Sequence, residues 1–308
     1  MADRVMELIA KAAPYLATHG SGSPRLDAEL LLAQALDITR MDLYLQFERP
    51  LSASELDHFR ALCRRRAGGE PIAYIRGHRE FMSVDLLVDP AVMIPRPETE
   101  ILVEEALRFA GVSRASVARA LNERPAAEQG AEEPPGVEVA PLPSVRVLDV
   151  GTGSGAIAIA MAVHHPRARV VGTDISADAL AVARRNVERL ELLDRVELRQ
   201  DDLAAGVEGV FDLVLANLPY IDPDWPDAVT PEVLASEPAR ALFGGAQGLE
   251  LVARLLEDVP RLTAPGSRVL LEVDPRNAAE ALRLARGVGE ARLISDLAGH
   301  HRVVVVEL

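Results

Sequence analysis

Two short stretches of this 308-residue chain carry residues whose types and spacing can do chemistry. The first, VLDVGTGSGAIAIAMA, leaves one apolar run, turns on Gly151, Gly153 and Gly155 with Thr152 and Ser154 between them, and enters a second. Alternating glycines leave no side chain between the backbone and a ligand pressed against the turn, and the amides that open the next helix face it with positive dipole. Asp174 stands 23 residues after Gly151, at the end of the next strand-like run, where one carboxylate can accept both hydroxyls of a ribose. Gly151, Gly153 and Ala156 also satisfy the relaxed dinucleotide pattern, so the glycines alone do not choose a ligand. Asp149, on the strand before them, does. A carboxylate there repels a pyrophosphate and suits the cationic amino acid end of S-adenosylmethionine. Asp202 in RQDDL, with Leu203 beside it, then falls where an adenine amino group would be held; the plain alternative for Asp201 and Asp202 is a solvated turn.

The second stretch, FDLVLA followed by Asn217-Leu218-Pro219-Tyr220, ends another strand, the place where ligands bind in open α/β sheets. An amide nitrogen is a poor nucleophile because its lone pair is delocalised into the carbonyl. The side-chain oxygen of Asn217 and the backbone carbonyl of Leu218 can accept both N–H bonds of a planar NH2 group. That orients its lone pair at a methyl-bearing sulfur and favours charge developing on nitrogen. Tyr220 can offer a flat face to the amide or base. Without a glycine loop nearby, the same four residues read as an Asx-Pro turn.

The elements that must position these residues follow from periodicity. Residues 1–78 read as a helical domain: RLDAELLLAQAL places Leu26, Leu30, Leu31 and Leu36 near one face, and Ser52 or Ser54 caps SASELDHFRALCRRR, with Glu55 at capping-box spacing from Ser52. Residues 79–96 alternate like a connecting β-hairpin, and Pro97 suits the first turn of a helix over 97–110. Residues 111–144 hold five prolines and few large apolar groups, the composition of a flexible insertion, read as a tolerated surface loop before a docking segment. From 145 onward, strands at 145–150, 168–174, 194–200, 210–216, 267–273, 291–295 and 301–307 alternate with helices at 155–164, 177–190, 247–259 and 276–286. Only AGH separates the last two strands, so they must be antiparallel, because a parallel crossover needs a dozen or more residues. The fold class is α/β: a seven-stranded Rossmann-like domain over 97–308, preceded by the helical domain and its hairpin. The closing hairpin is foreign to ordinary dinucleotide domains and favours S-adenosylmethionine.

Composition narrows the function classes. Arginines and one lysine, Lys11, make 33 basic groups against 47 acidic ones, a net charge of −14. Its parts are −2 over 1–90, −4 over 91–144 and −8 over 145–308, so no region is basic. Such a surface repels phosphate backbones and disfavours a nucleic-acid target. No apolar run reaches the ~20 residues of a membrane span, and the amino terminus lacks the apolar core of a secretory signal. One cysteine, Cys63, forms no intramolecular disulfide, which reads as cytoplasmic. Arg60, Arg64, Arg65 and Arg66 read as a solvated helix face before a contact with RNA or with an acidic face of a protein partner. His164-His165 and His300-His301 are adjacent pairs that do not converge on one ion, so no metal is expected.

Together these motifs resemble the peptide chain release factor glutamine N(5)-methyltransferases, the HemK/PrmC-type family, over almost the whole length. The resemblance rests on RRRAGGEPIAYIRGHREF (64–81), IPRPETE (94–100), VLDVGTGSGAIAIA (147–160), TDISADALAVARRN (173–186), FDLVLANLPYI (211–221), EPARALFGGAQGLEL (237–251) and DLAGHHRVVVVE (296–307). It implies a helical domain that docks the release factor, and a methyltransferase domain using S-adenosylmethionine on the glutamine of the GGQ motif. Asn217, Leu218, Pro219 and Tyr220 would carry catalysis. Asp149, Gly151, Thr152, Gly153, Ser154, Gly155, Asp174, Asp202, Leu203 and Asn217 would hold the cofactor, in a monomer. Rivals are a ribosomal-protein glutamine, an adenine amino group in nucleic acid, or a cofactor-binding scaffold without turnover. Three departures stand out: Leu218 where the family has proline, Asp274-Pro275 where it continues with glycine, and the long 111–144 connection. Arg96 and Glu98 can line the glutamine pocket or pin an inter-domain hinge; the sequence leaves both open.

Overall fold

Ser52 opens one helix of the amino-terminal region with a reciprocal capping box: its hydroxyl accepts from the Glu55 amide, and the Glu55 carboxylate accepts from the Ser52 amide. Thr39 and Asp42 repeat the device one helix earlier. The computed structural model describes residues 4–112, 142–225 and 229–308. Its elements begin with α1 (Val5–Thr18), α2 (Pro24–Leu36), α3 (Arg40–Leu45), α4 (Ala53–Ala67) and α5 (Ile72–Arg76). There follow β1 (His78–Phe81), β2 (Val84–Leu87), α6 (Pro97–Phe109), β3 (Val145–Val150), α7 (Ala156–His164), β4 (Ala168–Asp174) and α8 (Ala177–Arg189). The remainder are β5 (Val196–Gln200), β6 (Leu213–Ala216), α9 (Pro231–Ser236), α10 (Glu250–Leu262), β7 (Arg268–Glu272), α11 (Ala278–Ala285), β8 (Glu290–Ser295) and β9 (His301–Glu307). The chain divides into two compact units, Met1–His78 with Val229–Ser236, and Arg79–Ala228 with Glu237–Leu308.

In the first unit, Val5, Leu8, Leu16, Leu31, Leu32, Leu43, Phe59 and Leu62 form the core. Leu31 and Leu36 are buried as their spacing suggests, but Leu26 is exposed and Leu30 half-buried. The face of α2 that packs inward is centred on Ala28 and Leu32, and Leu26 sits about 200° round the helix from Ala28. The same helix buries two carboxylates. Asp27 accepts from Arg66 at 2.7 Å and Ser21 at 2.8 Å; Glu29 accepts from Tyr44 at 2.6 Å, Arg40 at 2.8 Å and Arg25 at 3.1 Å. The arginine run is therefore not one solvated face: Arg66 is buried on Asp27 and Glu232, Arg65 pairs with Glu70, and Arg60 lies 3.7 Å from Asp57. Cys63 is buried in the same helix, and burial pushes its thiol up to about 11.

The second unit opens with the β1–β2 hairpin, whose turn residues Met82 and Ser83 hold φ of +49° and +59°. Both values belong to the primed two-residue turn that suits strand twist, normally built with Asn or Gly. Here burial of Met82 and its amide bond to Glu100 at 2.9 Å hold the turn. Asn186 of α8 then fastens β2: its Oδ1 accepts from the Leu87 amide at 2.7 Å, while its Nδ2 donates to the carbonyls of Leu87 and Ser154.

Seven strands form one sheet in the order β5-β4-β3-β6-β7-β9-β8. The first five run parallel, while β9 pairs antiparallel with both β7 and β8. Alternation sorts the strand residues onto two faces. Val147, Leu213, Leu215, Leu270, Val303 and Val305 pack with α6, α7 and the hairpin; Leu148, Val150, Val214, Leu271, Val304 and Val306 pack with α10 and α11. The observed strands β5 and β6 begin two and three residues later than their spacing suggests. The helix expected over 247–259 instead runs Glu250–Leu262, continuing past Pro260, because EPARALFGGAQGLEL folds as two 3-10 turns, Ala239–Ala241 and Ala246–Gly248. Most of the expected insertion, 113–141, lies outside the described residues. Among the described residues no helix is long and apolar enough to cross a membrane.

Candidate active site

The glycine turn is pinned by backbone bonds before any ligand is considered. The amides of Gly151 and Thr152 both donate to the Thr173 carbonyl, at 2.9 and 2.8 Å, joining the end of β3 to the end of β4. Gly151 takes φ +75° and Gly155 φ +83°; a Cβ on Gly155 would press on Ile159 at 3.0 Å, and one on Gly151 on Leu218 at 3.1 Å. Both positions thus require glycine for conformation and for close approach. Asp174 accepts from the Gly153 amide at 2.9 Å on one oxygen and the Ser176 amide at 2.9 Å on the other. Each carboxylate oxygen keeps a second lone pair, enough for two ribose hydroxyls. Burial raises the Asp174 carboxyl, opposed by those amides and by Arg240.

A cavity of about 330 Å3 opens beside this turn. It is lined by Gly151, Thr152, Gly153 and Ser154, by Asp174 and Ile175 after β4, by Asp202 and Leu203 after β5, and by Asn217, Leu218 and Pro219 after β6. Four strand ends therefore contribute to one pocket, as the parallel topology demands. Arg254 on α10 also lines it and holds Asp202 at 2.7 Å, an ion pair the sequence did not announce.

Three residues singled out from sequence lie elsewhere. Gly155 caps α7 behind the pocket wall. Asp149 is completely buried and does not line the cavity: its Oδ2 accepts from the Thr152 hydroxyl at 2.6 Å and the Ala158 amide at 3.0 Å. It thus braces the turn and the first turn of α7, and burial pushes its carboxyl up to about 7. Tyr220 also lies outside the lining; its hydroxyl donates to Glu272 of β7 at 3.3 Å. Burial beside Glu272 and Asp274 raises its phenol above the usual range.

Asn217 is the best defined of the group. Its Nδ2 donates to the Thr99 hydroxyl oxygen at 2.9 Å, which turns its Oδ1 away from Thr99. Thr99, in IPRPETE on α6, is buried and lines the cavity. Leu218, where the resemblance leads one to expect proline, is buried in the α10–α11 core against Gly151. Arg96 and Glu98 do not line the cavity. Arg96 donates to buried Glu237 at 2.5 Å, tying IPRP to the start of EPARALFGG.

That second motif acts on the Asn217 loop through its backbone. The Ile221 amide donates to Leu242 O at 3.1 Å and the Gly244 amide to Ile221 O at 2.9 Å. A Cβ on Gly244 or Gly248 would run into the carbonyls of Pro219 and Tyr220 respectively. Asn277 finishes the clamp, its Nδ2 donating to Tyr220 O at 3.1 Å and Gln247 O at 3.2 Å. Asp274-Pro275 does not reach the cavity; Asp274 is occupied by Arg276, which stacks 4.2 Å over Trp225. Glu272, Thr99, Asn186, Asn277 and Arg254 are residues to which the sequence reading gave no role. Their only signal was membership of a motif or proximity to one, since each acts on a partner tens of residues away.

Known proteins resemble this chain over most of its length. Residues 7–77 match the PrmC N-terminal domain, and residues 137–254 the methyltransferase small domain. The release factor glutamine methyltransferase of Rhodopirellula baltica is 40% identical over 98% of this chain and 96% of its own length. That of Moorella thermoacetica is 38% identical over 96% and 95%. Among solved structures, the hMettl16 catalytic domain in complex with MAT2A 3'UTR hairpin 6 matches with a TM-score of 0.50 at 14% identity, over 72% of this chain and 74% of that one, a likeness of fold alone. With such identity across nearly its full length, the chain belongs to the release factor glutamine methyltransferase family.

Proposed function

We propose that this protein transfers a methyl group from S-adenosylmethionine to the side-chain nitrogen of the glutamine in the GGQ loop of peptide chain release factors. The carrying observation is the Asn217 amide: with Nδ2 committed to Thr99, Oδ1 remains as an acceptor beside the glycine turn. The pocket residues fit the cofactor. Asp174 retains acceptor capacity for a ribose, a glycine-walled turn admits close approach, and Ile175 and Leu203 offer apolar walls to an adenine. When bound, the cofactor supplies an electrophilic methyl on a cationic sulfur.

The chain's own residues supply orientation. Asn217 Oδ1 and the Leu218 carbonyl accept the two N–H bonds of the glutamine amide, turning its lone pair toward the methyl and stabilising charge that develops on nitrogen. Leu218 precedes a proline, so its backbone stays extended without the proline usual at that position. Asp149 serves the site indirectly, by fixing the turn through Thr152 and Ala158. Our reading further has the helical unit dock the release factor and a monomer act in the cytoplasm, where translation factors work. A net charge of −14 supports a protein target over nucleic acid.

The test incubates the protein and methyl-labelled S-adenosylmethionine with a release factor carrying GGQ, the same factor with that glutamine substituted, and ribosomal RNA. Label on the GGQ factor alone is expected. Label on RNA, or equal label on both factors, refutes the reading.

A further inference from the structure

We infer that Arg254 is a positioning residue for the cofactor's base. By holding one carboxylate oxygen of Asp202 it presents the other to an exocyclic amino group, and so sharpens the choice of adenine over a base with a carbonyl at that place. This deepens the proposed function and rests on its reading of the cavity as the cofactor pocket, with Asp202 as the acceptor for adenine. Both residues line that cavity, Asp202 after β5 and Arg254 on α10. Arg254 donates to Asp202 Oδ2 at 2.7 Å, and Oδ1 has no hydrogen-bond partner among the described residues.

The loop that carries Asp202 is built rather than loose. Its two adjacent aspartates part company. Asp201 donates its amide to the Asp174 carbonyl at 3.0 Å and accepts from the Gly206 amide on Oδ2 at 2.7 Å, closing the loop on itself. Leu203 takes φ +56°, an unfavourable backbone for a leucine, and its carbonyl accepts from the buried Thr173 hydroxyl at 2.7 Å. Residues held in such conformations gather at ligand sites. Helix α10 supports the loop with two arginines about two turns apart on one face. Arg261 donates to the carbonyls of Ala204 and Val207, so it holds backbone. Arg254 instead takes the Asp202 side chain, so it can alter what the loop reads without altering its course.

An ionised carboxylate only accepts. The adenine amino group donates to it, whereas a hypoxanthine carbonyl sets acceptor against acceptor, so the base edge is read by polarity. An aspartate with neither oxygen tethered must lose side-chain freedom on binding. One already tethered does not, and the saving falls only to a ligand that uses the free oxygen. The pair is half exposed, at 50% and 49%, so water screens it and its effect is a few-fold, not a hundredfold. Direct contact of Arg254 with the base would act the other way, since a guanidinium only donates and would favour the carbonyl.

The experiment measures, by calorimetry on the full chain, affinity for S-adenosylhomocysteine and S-inosylhomocysteine, whose bases carry an amino group and a carbonyl at the same position. The variants are Arg254→Met, Arg254→Lys, Arg261→Met, Asp202→Ala, and Asp202→Ala combined with Arg254→Met. Wild type should prefer the adenosyl ligand by about 30-fold. Arg254→Met should cut that preference by about fivefold and Arg254→Lys should restore it to within about twofold, whereas Arg261→Met should weaken both ligands alike. In Asp202→Ala, where little preference remains, adding Arg254→Met should change it by less than about twofold. A wild type without preference, an Arg254→Met protein whose preference stays or grows, or an Arg254 effect that survives in Asp202→Ala overturns the inference. So does an equal loss of preference in Arg261→Met, because support of the loop would then suffice. The preference is read without a release factor. A protein that shows the coupling but methylates no release factor therefore refutes the proposed substrate and supports the role of Arg254; one that binds neither ligand overturns both.

Discussion

Gly248 touches no ligand, yet replacing it by alanine should cripple turnover. Its φ is +68°, and a Cβ there would run into the Tyr220 carbonyl oxygen and lie 2.5 Å from the carbonyl carbon, where ordinary contact begins at 3.4 Å, so the backbone must move by at least about 0.9 Å. The neighbour is backbone and cannot rotate away, so the displacement passes into Asn217–Tyr220. A misplacement of about 1 Å can cost on the order of 100-fold in rate, and the left-handed backbone adds a stability cost of roughly 1–2 kcal/mol. Gly266 is the control: its φ is +95°, but a Cβ there meets nothing within 4 Å, so Gly266→Ala carries the backbone strain without the collision. Both variants would be assayed for methyl transfer at saturating cofactor, cofactor affinity and thermal unfolding. Gly248→Ala should lose about 100-fold in kcat while binding cofactor within about threefold; Gly266→Ala should lose stability alone. If the two variants keep equal turnover, the clamp does not position the loop and the reasoning fails.

Other consequences can be checked in the same preparations. Asn217→Ala should abolish methylation while leaving cofactor binding largely intact, and unchanged turnover would sink the acceptor mechanism. Leu218→Pro should keep turnover within a few-fold but lose about 1–2 kcal/mol in urea unfolding, because it empties space packed against Gly151; a large gain in turnover would show the leucine to be a catalytic handicap. Arg66→Leu strands the Asp27 carboxylate with only Ser21 and should cost about 3–5 kcal/mol in urea unfolding, part of which Asp27→Leu in the same chain should recover. Asp149 stands at about 7 in the fold against 3.8 for the free group, so its ionisation opposes folding, and wild-type stability should fall between about pH 4 and 7 and level off above. Asp149→Asn keeps an acceptor for Thr152 and Ala158 but does not titrate. Its stability relative to wild type should rise across that window by on the order of 3 kcal/mol, and parallel pH curves would refute the assignment.

What the amino-acid order determined by itself was everything that depends on near neighbours. The glycine turn, the caps at Ser52 and Pro97, the alternation of strands and helices, and the reversed final hairpin are set by backbone sterics, local hydrogen bonding and the two apolar periods. All were legible before any coordinates, as was the carboxylate at the end of β4. Boundaries slipped where a motif held glycines for close approach, as in 237–251, because spacing alone does not say what a glycine is close to. Only the tertiary structure decided that Asp149 braces the turn from beneath while Asp174 faces the pocket. The two acids look alike in sequence, and their difference is a matter of which backbone amides and hydroxyls surround each. Nor could sequence pair Thr99 with Asn217, 118 residues away, or Tyr220 with Glu272, 52 residues away. Those contacts are created when α6, β7 and the loop after β6 converge at the carboxyl ends of the parallel strands, and side-chain polarity acquires a direction only once its partners are in place.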